Sequence, residues 1–446
     1  MLKDWRNGIV FQQFLSVNSL VSAGAVILFL VMLYGMNHLP KKKLSFASRV
    51  LVGSGCGTVF GLAVYAAGRT GLAVGGASDW FSMAQSVYLG LFRVLIGPVV
   101  FISTVRMVLH TPAYKVTPRE VKVKKQVNTL MLAISCGIGL FFGIWFHVGG
   151  QTGGFGAVRA GGESLPALIA ALAPVNLAAD LLLGKTVAVF VAGALTGIAA
   201  RRMSGKYMDT VKPFFDLTEA AFSIMGSVCK TVIAWKPSGA AAIMTALAAA
   251  SGPWAVWQVV KFLLVLTLAA AAMLVIQLIL AAVFGVGPAA FFRAGKEAMV
   301  KALKTRSGGA CLPEAKKALS EGLGLNAEVT DEVATYAISS GMQGCAALFP
   351  AMALVFTVHM AGAEFTPALI AAAVIVVVLS SYGITGAPGT ATMAEFAAVM
   401  GTGMEGAVSG LGPMIAIDPI GDVPRTLINV TGCITNAIIV ERRVRT

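Results

Sequence analysis

Along this chain, apolar runs of about twenty residues recur from end to end, separated by short clusters of lysine and arginine. A run of that length crosses the hydrocarbon core of a bilayer as a helix. The pattern therefore predicts an all-α polytopic membrane protein. The first span covers about residues 14–36 and is followed by Lys41, Lys42, Lys43 and Arg49. Cytoplasmic loops carry the excess of lysine and arginine, so that loop is predicted inside and the N-terminus outside. Spans at about 49–67, 82–105 and 127–148 then alternate sides. The second and fourth lead to loops poor in cations, and the third meets Arg106, Lys115, Arg119, Lys122, Lys124 and Lys125. Lys3 and Arg6 precede the first run, but no small-residue cleavage site follows, so the run reads as a retained helix and not a signal peptide.

Further on the pattern is less regular. Pro166, Pro174, Asp180 and Lys185 interrupt residues 165–200, which predicts broken helices ending at cytoplasmic Arg201 and Arg202. The segment 211–249 is too long for one simple crossing and carries Asp216, Glu219, Lys230 and Lys236-Pro237. Those charges are expected near its ends or facing protein. The span 256–284 is plain and is expected to end in the cytoplasm.

The last third differs in kind. Between 291 and 321, two short semi-apolar arms flank Lys304-Thr305-Arg306-Ser307-Gly308-Gly309-Ala310-Cys311-Leu312-Pro313. Each arm is too short to cross, and non-helical backbone at membrane depth is tolerated only where protein or a wet cavity satisfies it. A re-entrant hairpin entering from the cytoplasm fits; the alternative is a plain cytoplasmic glycine loop. An apolar helix over about 333–360 is interrupted by Ser339-Ser340-Gly341-Met342-Gln343-Gly344-Cys345, where two glycines around a glutamine predict unwinding and free carbonyls. A second apparent hairpin, about 365–403, has the tip Ser381-Tyr382-Gly383-Ile384-Thr385-Gly386-Ala387-Pro388-Gly389-Thr390 and enters from outside. Hairpin then broken helix, twice, from opposite sides, is the order of an inverted repeat in a secondary transporter. The repeat rests on pattern alone, without residue-level identity between the halves.

The polarity of this third is concentrated in the stretch Asp418-Pro419-Ile420-Gly421-Asp422-Val423-Pro424-Arg425-Thr426-Leu427-Ile428-Asn429-Val430-Thr431-Gly432-Cys433. At about 100° per residue, Asp418, Asp422, Arg425, Asn429 and Cys433 fall within roughly 60–80° of one another, while Leu427, Ile428 and Val430 point elsewhere. A charge at the bilayer centre costs from about 3 to over 10 kcal/mol, so such residues face a partner or a wet cavity. The stripe is the expected binding site.

Composition narrows the function further. Of 446 residues, 57% are hydrophobic and 12% charged, far from the balance of a soluble domain. The formal charge of +14 sits in clusters between spans and forms no single patch, which argues against nucleic acid. The six cysteines, Cys56, Cys136, Cys229, Cys311, Cys345 and Cys433, are spread singly, and the four histidines are equally scattered. That spacing favours neither a disulfide framework nor a metal site.

These motifs carry a family resemblance over essentially the whole chain after the first span. Thr305–Pro313 resembles the first hairpin tip of the dicarboxylate/amino acid:cation symporters, the glutamate-transporter family, and Gly383–Gly389 resembles their second. Asp418 to Gly432 is similar to their last-helix motif, Asp-x-x-x-Asp-x-x-Arg-Thr-x-x-Asn-Val-x-Gly. The inverted-repeat architecture is that family's own and is not an independent deduction. The resemblance implies three parts: an extra N-terminal helix over 1–40, a scaffold and oligomerisation region over 41–285, and a transport core over 286–446. It implies a homotrimer in the plasma membrane, with a cytoplasmic C-terminus and no enzymatic activity or cofactor.

Roles follow position by position from the same resemblance. Asp422 would take the substrate's amino group, Arg425 a distal carboxylate, and Thr426 and Asn429 would help hold the substrate, with Asp418 supporting Arg425. A guanidinium presents a planar fork that matches a carboxylate. The tips Arg306, Ser307, Gly308, Gly309 and Thr385, Gly386, Ala387, Pro388, Gly389 would cradle the α-carboxylate and gate the two sides. Cation coupling would involve Gly341, Gln343, Gly344, Asn429 and Cys433. Here the chain departs from the family, whose unwound segment reads Asn-Met-Asp-Gly and whose last helix ends Gly-Asp. Gln343 and Cys433 replace two acids, and hard cations prefer carboxylate oxygens, so the coupling ion stays open between Na+ and H+. Gly341-Met342-Gln343-Gly344-Cys345-Ala346 with Phe349-Pro350-Ala351-Met352 is similar to the L-cystine uptake branch, which also carries a leading helix. Acidic amino acids or C4-dicarboxylates are the alternative substrates.

Three rival readings remain. The stripe could be only a structural salt bridge, which leaves the glycine-rich tips unexplained. Asp418 and Asp422 could be an intramembrane protease dyad, but dyads need two carboxylates converging on one proton, and these share a helix with an arginine. An ion channel would need a continuous polar pore.

Overall fold

The computed structural model describes residues 15–17, 19–40, 42–109, 118–150, 166, 170, 173–384 and 389–445. Those residues contain helices and turns and no strand. The helices are α1 Leu20–Asn37, α2 Phe46–Arg69, α3 Ala77–Leu109, α4 Pro118–Trp145, α5 Leu177–Leu183, α6 Thr186–Ser204, α7 Met208–Ala234 and α8 Lys236–Val283. They continue with α9 Pro288–Thr305, α10 Gly308–Lys317, α11 Ala327–Ser340, α12 Phe349–Met360, α13 Pro367–Gly383, α14 Thr390–Gly401 and α15 Gly412–Arg445. Among the described residues, nine helical segments are long and apolar enough to cross a membrane, which makes this a multi-pass membrane protein.

Burial divides the helices into two classes. The apolar windows of α1 and α7 are each only 17% buried, whereas those spanning 327–360 and 405–445 are 94% and 83% buried. Apolar residues that no protein covers face lipid in a membrane-spanning helix. Helices α1 and α7 therefore lie at the periphery, and the broken helix and α15 form the interior.

One early contact is unusually close. Gly53, Gly57 and Gly61 repeat at intervals of four on α2 and lie over Pro237, Ala241 and Thr245 of α8. A Cβ on Gly57 would come within 2.3 Å of the Ala241 carbonyl oxygen, and one on Gly53 within 2.1 Å of the Pro237 carbonyl oxygen. Small residues at this spacing let two helix backbones meet. The stripe brings α2 against the start of α8, where Lys236 lies.

The irregular regions have specific causes. The long segment 211–249 divides at Trp235, between α7 and α8, and α8 divides again at Gly252 (φ 65°, ψ −157°) just before Pro253. A side chain at Gly252 would be strained and would also meet the Tyr65 ring at 2.6 Å. Of the charges in this region, Asp216 and Lys230 are exposed, Glu219 pairs with Arg106 at 2.7 Å, and Lys236 is buried against α15. Between 173 and 204 the structure has the short α5 followed by α6, so the expected interruption falls at Gly184-Lys185.

In the last third, α9 ends at Arg306 in the left-handed conformation (φ 53°), and Ser307 caps α10 by accepting from the Ala310 N–H at 3.3 Å. The two helices pack against each other and on α15. The break between α11 and α12 falls at Gly341-Met342, and the chain resumes through a π turn at Gln343–Leu348. Helices α13 and α14 pack together; Thr385, Gly386, Ala387 and Pro388 between them lie outside the described residues. Helix α15 runs through Pro419 and Pro424, which supply no N–H donors. In this stretch the carbonyls of Ala416, Asp418 and Pro419 accept from Ser54 (2.7 Å), Arg425 (3.4 Å) and Arg306 (3.3 Å).

Candidate functional site

Arg425 lies at the centre of the polar stripe and is 1% exposed. Its Nη2 donates to Asp418 Oδ1 at 2.5 Å and to Asp422 Oδ1 at 3.2 Å. The guanidinium carbon lies 3.9 Å from the centroid of the Phe349 ring, close enough for a cation–π contact. Nε and Nη1 are buried and have no hydrogen-bond partner among the described residues. The ion pair of the rival reading is therefore present, but it engages only one of the three guanidinium nitrogens. The two acids are not sealed: the Asp418 side chain is 21% exposed and that of Asp422 29%.

Asp418 is held from the other side as well, since Lys236 donates to its Oδ2. All three described contacts of Asp422 go to Oδ1: Arg425, the Thr426 hydroxyl at 3.3 Å and the Cys345 thiol at 3.9 Å. Asn429 faces the break in the neighbouring helix. Its Oδ1 accepts from the backbone N–H of Gly344 (2.7 Å) and Cys345 (3.3 Å), and its Nδ2 lies 3.1 Å from Cys345 Sγ. Gly344 is required there, because a Cβ would approach the Arg425 carbonyl oxygen to 2.3 Å. The stripe and the unwound segment are thus one continuous site.

The first tip reaches this site through Arg306, whose Nη1 donates to the Pro419 carbonyl, one residue from Asp418. Ser307 and Gly309 are exposed at the turn, and Gly308 lies 3.4 Å from Ile338 by its virtual Cβ. Among the described residues, none of these three bonds the stripe. Of the second-tip residues Thr385–Gly389, expected to cradle the carboxylate, only Gly389 is described, in the left-handed conformation and against Ile233.

Of the positions expected to couple a cation, Gln343 takes part in a chain of neutral amides. Gln343 is buried; its Oε1 accepts from Gln277 Nε2 at 2.7 Å, and its Nε2 donates to Asn436 Oδ1 at 3.2 Å. Asn436 continues to Asn128 (3.2 Å), and Asn128 to the Ser340 carbonyl and the Tyr382 hydroxyl (both 3.3 Å). Gly341 packs on Asn128 and Gly432 on Gln343, each too close to admit a side chain. Cys433 is apart from this chain of amides and donates to the Ala334 carbonyl at 3.5 Å. No group of three or more His, Cys, Asp or Glu side chains with metal-binding geometry exists among the described residues.

Gln277, Asn128 and Asn436 had no expected role, and Cys345 and Phe349 stood only within motifs. Gln277, Asn128 and Asn436 are amides inside apolar spans, a signal available from sequence. Phe349 gave no such signal. A separate cavity of about 870 Å³ lies beside the break, lined by Arg106, Lys124, Lys125, Arg201, Glu332 and Tyr382 among others. No residue of the stripe lines it.

A buried arginine between partly exposed acids, beside an unwound helix in a bundle of membrane spans, suits a solute-binding site at membrane depth. The chain belongs to the sodium:dicarboxylate symporter family, whose model it matches over residues 46–443. It is 27% identical over 452 residues to the L-cystine uptake protein TcyP of Bacillus licheniformis, covering 96% of this chain and 95% of that protein. It is 27% identical over 444 residues to TcyP of Bacillus subtilis (95% and 94% covered) and 24% identical over 445 residues to TcyP of Bacillus anthracis (95% of each). It is a multi-pass transporter of small-molecule amino acid or dicarboxylate substrates.

Proposed function

We propose that this chain imports L-cystine by alternating access. The observation that carries the reading is Arg425, whose Nε and Nη1 are unpartnered among the described residues while two partly exposed carboxylates lie beside it. A distal carboxylate would take those donors, and Asp422, whose Oδ2 has no partner among the described residues, would take an ammonium. A cystine molecule carries both groups at each end. The names of the relatives point to the same substrate.

Several finer features belong to the same reading. Residues about 291–321 and 365–403 act as re-entrant hairpins that gate opposite sides, the halves of the core are inverted repeats, and Arg306, Ser307, Gly308, Gly309 and Thr385–Gly389 cradle the α-carboxylate. Thr426 and Asn429 complete the substrate contacts. The early helices form the scaffold of a homotrimer in the plasma membrane, preceded by the extra helix and with the C-terminus in the cytoplasm. The coupling ion is H+ in preference to Na+, because the amides around Gln343 already bond one another and offer no carboxylate to a hard cation.

The test is uptake of labelled L-cystine into proteoliposomes, competed by acidic amino acids and C4-dicarboxylates, under sodium gradients and under proton gradients. Saturable uptake displaced best by cystine supports the reading. Displacement by succinate or aspartate with none by cystine would replace the substrate. Unsaturable flux would indicate a channel.

A further inference from the structure

Glu395 lies within the apolar helix α14, on the arm that follows the second tip, and is 0% exposed. Among the described residues, neither of its carboxyl oxygens has a hydrogen-bond partner. An acid inside an apolar stretch is a functional candidate by its cost alone, and nothing in the site described so far uses this one. The charged groups that act on it are Asp418 and Arg425 of α15 and Lys236 of α8. The other elements packed on α14 (α3, α6, α12, α13 and the turns at 343–348 and 405–411) present no further charge to it among the described residues.

The charges around it already balance. Lys236 and Arg425 offset Asp418 and Asp422, so an ionised Glu395 would add an uncompensated negative charge where no described residue donates to it. A protein interior avoids that arrangement by keeping the acid neutral. Neutralisation has a consequence for binding: an ionised Glu395 repels an incoming carboxylate, and a neutral one leaves Arg425 free to hold it.

We propose that Glu395 is a proton-binding site of the transport core, carrying the coupling proton inward together with the substrate's distal carboxylate. This rests on the carrier reading above. On the acidic side a hydronium ion gives its proton to one Glu395 oxygen, forming an O–H bond and leaving water. On the other side that bond breaks and the proton returns to water; no electrons are transferred. Proton and substrate favour each other's binding, and the coupling is reciprocal.

Two measurements on the full chain test this. Infrared difference spectra of the purified protein between neutral and alkaline pH need no substrate. The wild type is expected to show a protonated-carboxyl band at neutral pH that is missing from E395Q. In proteoliposomes holding a pH dye, an inward gradient of one pH unit should raise L-cystine accumulation about tenfold for one proton per substrate, and added cystine should acidify the lumen. Folded, monodisperse E395Q should lose both responses. If E395Q does not fold, E395D should shift the pH at which the band disappears. No band in the wild type, proton influx surviving in E395Q, or an unshifted titration in E395D overturns the proposal. A wild type that shows the band but neither binds nor moves cystine defeats the substrate reading instead, while the band's loss in E395Q still supports the proton site.

Discussion

The Lys236 ammonium, 4% exposed, donates to the Asp418 carboxylate across 182 positions of sequence. It fastens the start of α8, where α2 lies closest, to the helix that holds Arg425. Asp418 is consequently shared by two cations, and the orientation of the arginine depends on a residue in a different part of the chain.

Removing one partner from a buried ion pair leaves the other unsatisfied. K236M is expected to destabilise the protein by on the order of 3 kcal/mol, and K236M/D418N to recover part of that loss. Thermal unfolding in detergent measures both. Additive losses would show that the two residues do not interact.

The division of labour between Arg425 and Asp422 predicts opposite selectivity changes. A charge-assisted hydrogen bond contributes about 1.5–3 kcal/mol, so R425A should weaken substrates with a distal carboxylate by roughly ten- to a hundredfold. D422N should weaken amino acids by a similar factor and leave their des-amino analogues unchanged. Competition constants in proteoliposomes decide it. Equal losses for both substrate classes in both variants would remove the assignment.

The amide chain through Gln343 predicts indifference to sodium. Replacing external sodium with choline should change the initial uptake rate by less than about twofold, since no carboxylate stands at this position to favour a hard cation. Steep sodium dependence would mean that backbone carbonyls at the break suffice for coupling.

The contact between α2 and α8 predicts a contrast between two neighbouring glycines. Within a helix, Gly→Ala is ordinarily stabilising by roughly 0.8–1 kcal/mol. G55A, whose new Cβ would meet nothing within 4 Å, should follow that rule. G57A, which would drive a Cβ against the Ala241 backbone, should lower the unfolding temperature. Indistinguishable behaviour of the two would show that the helices do not meet there.

Much of the molecule was legible in the order of its residues. Long apolar runs dictate spanning helices because hydrocarbon leaves backbone groups no partner outside their own helix. The break at Gly341-Met342 was visible as glycines inside such a run, and residues 211–249 were visibly too long for one crossing, although the point of division at Trp235 was not. The stripe Asp418, Asp422, Arg425, Asn429 followed from helical spacing, because side chains four apart share a face whatever surrounds the helix. Its direct contacts with the unwound segment, through Asn429 to Gly344 and Cys345, were not readable from spacing.

By itself, then, the sequence determined that this is a multi-span helical membrane protein with a polar stripe on its last long helix, and its motifs determined the family. Only the tertiary structure decided that Lys236 completes the pair at Asp418, that Gln277, Gln343, Asn436 and Asn128 satisfy one another, and that Glu395 has no donor among the described residues. The physical reason is one of range. Span length and helical face are local properties of backbone geometry and solvent. A buried polar group's state depends on which groups other helices bring within about 3 Å of it, and no local pattern records that.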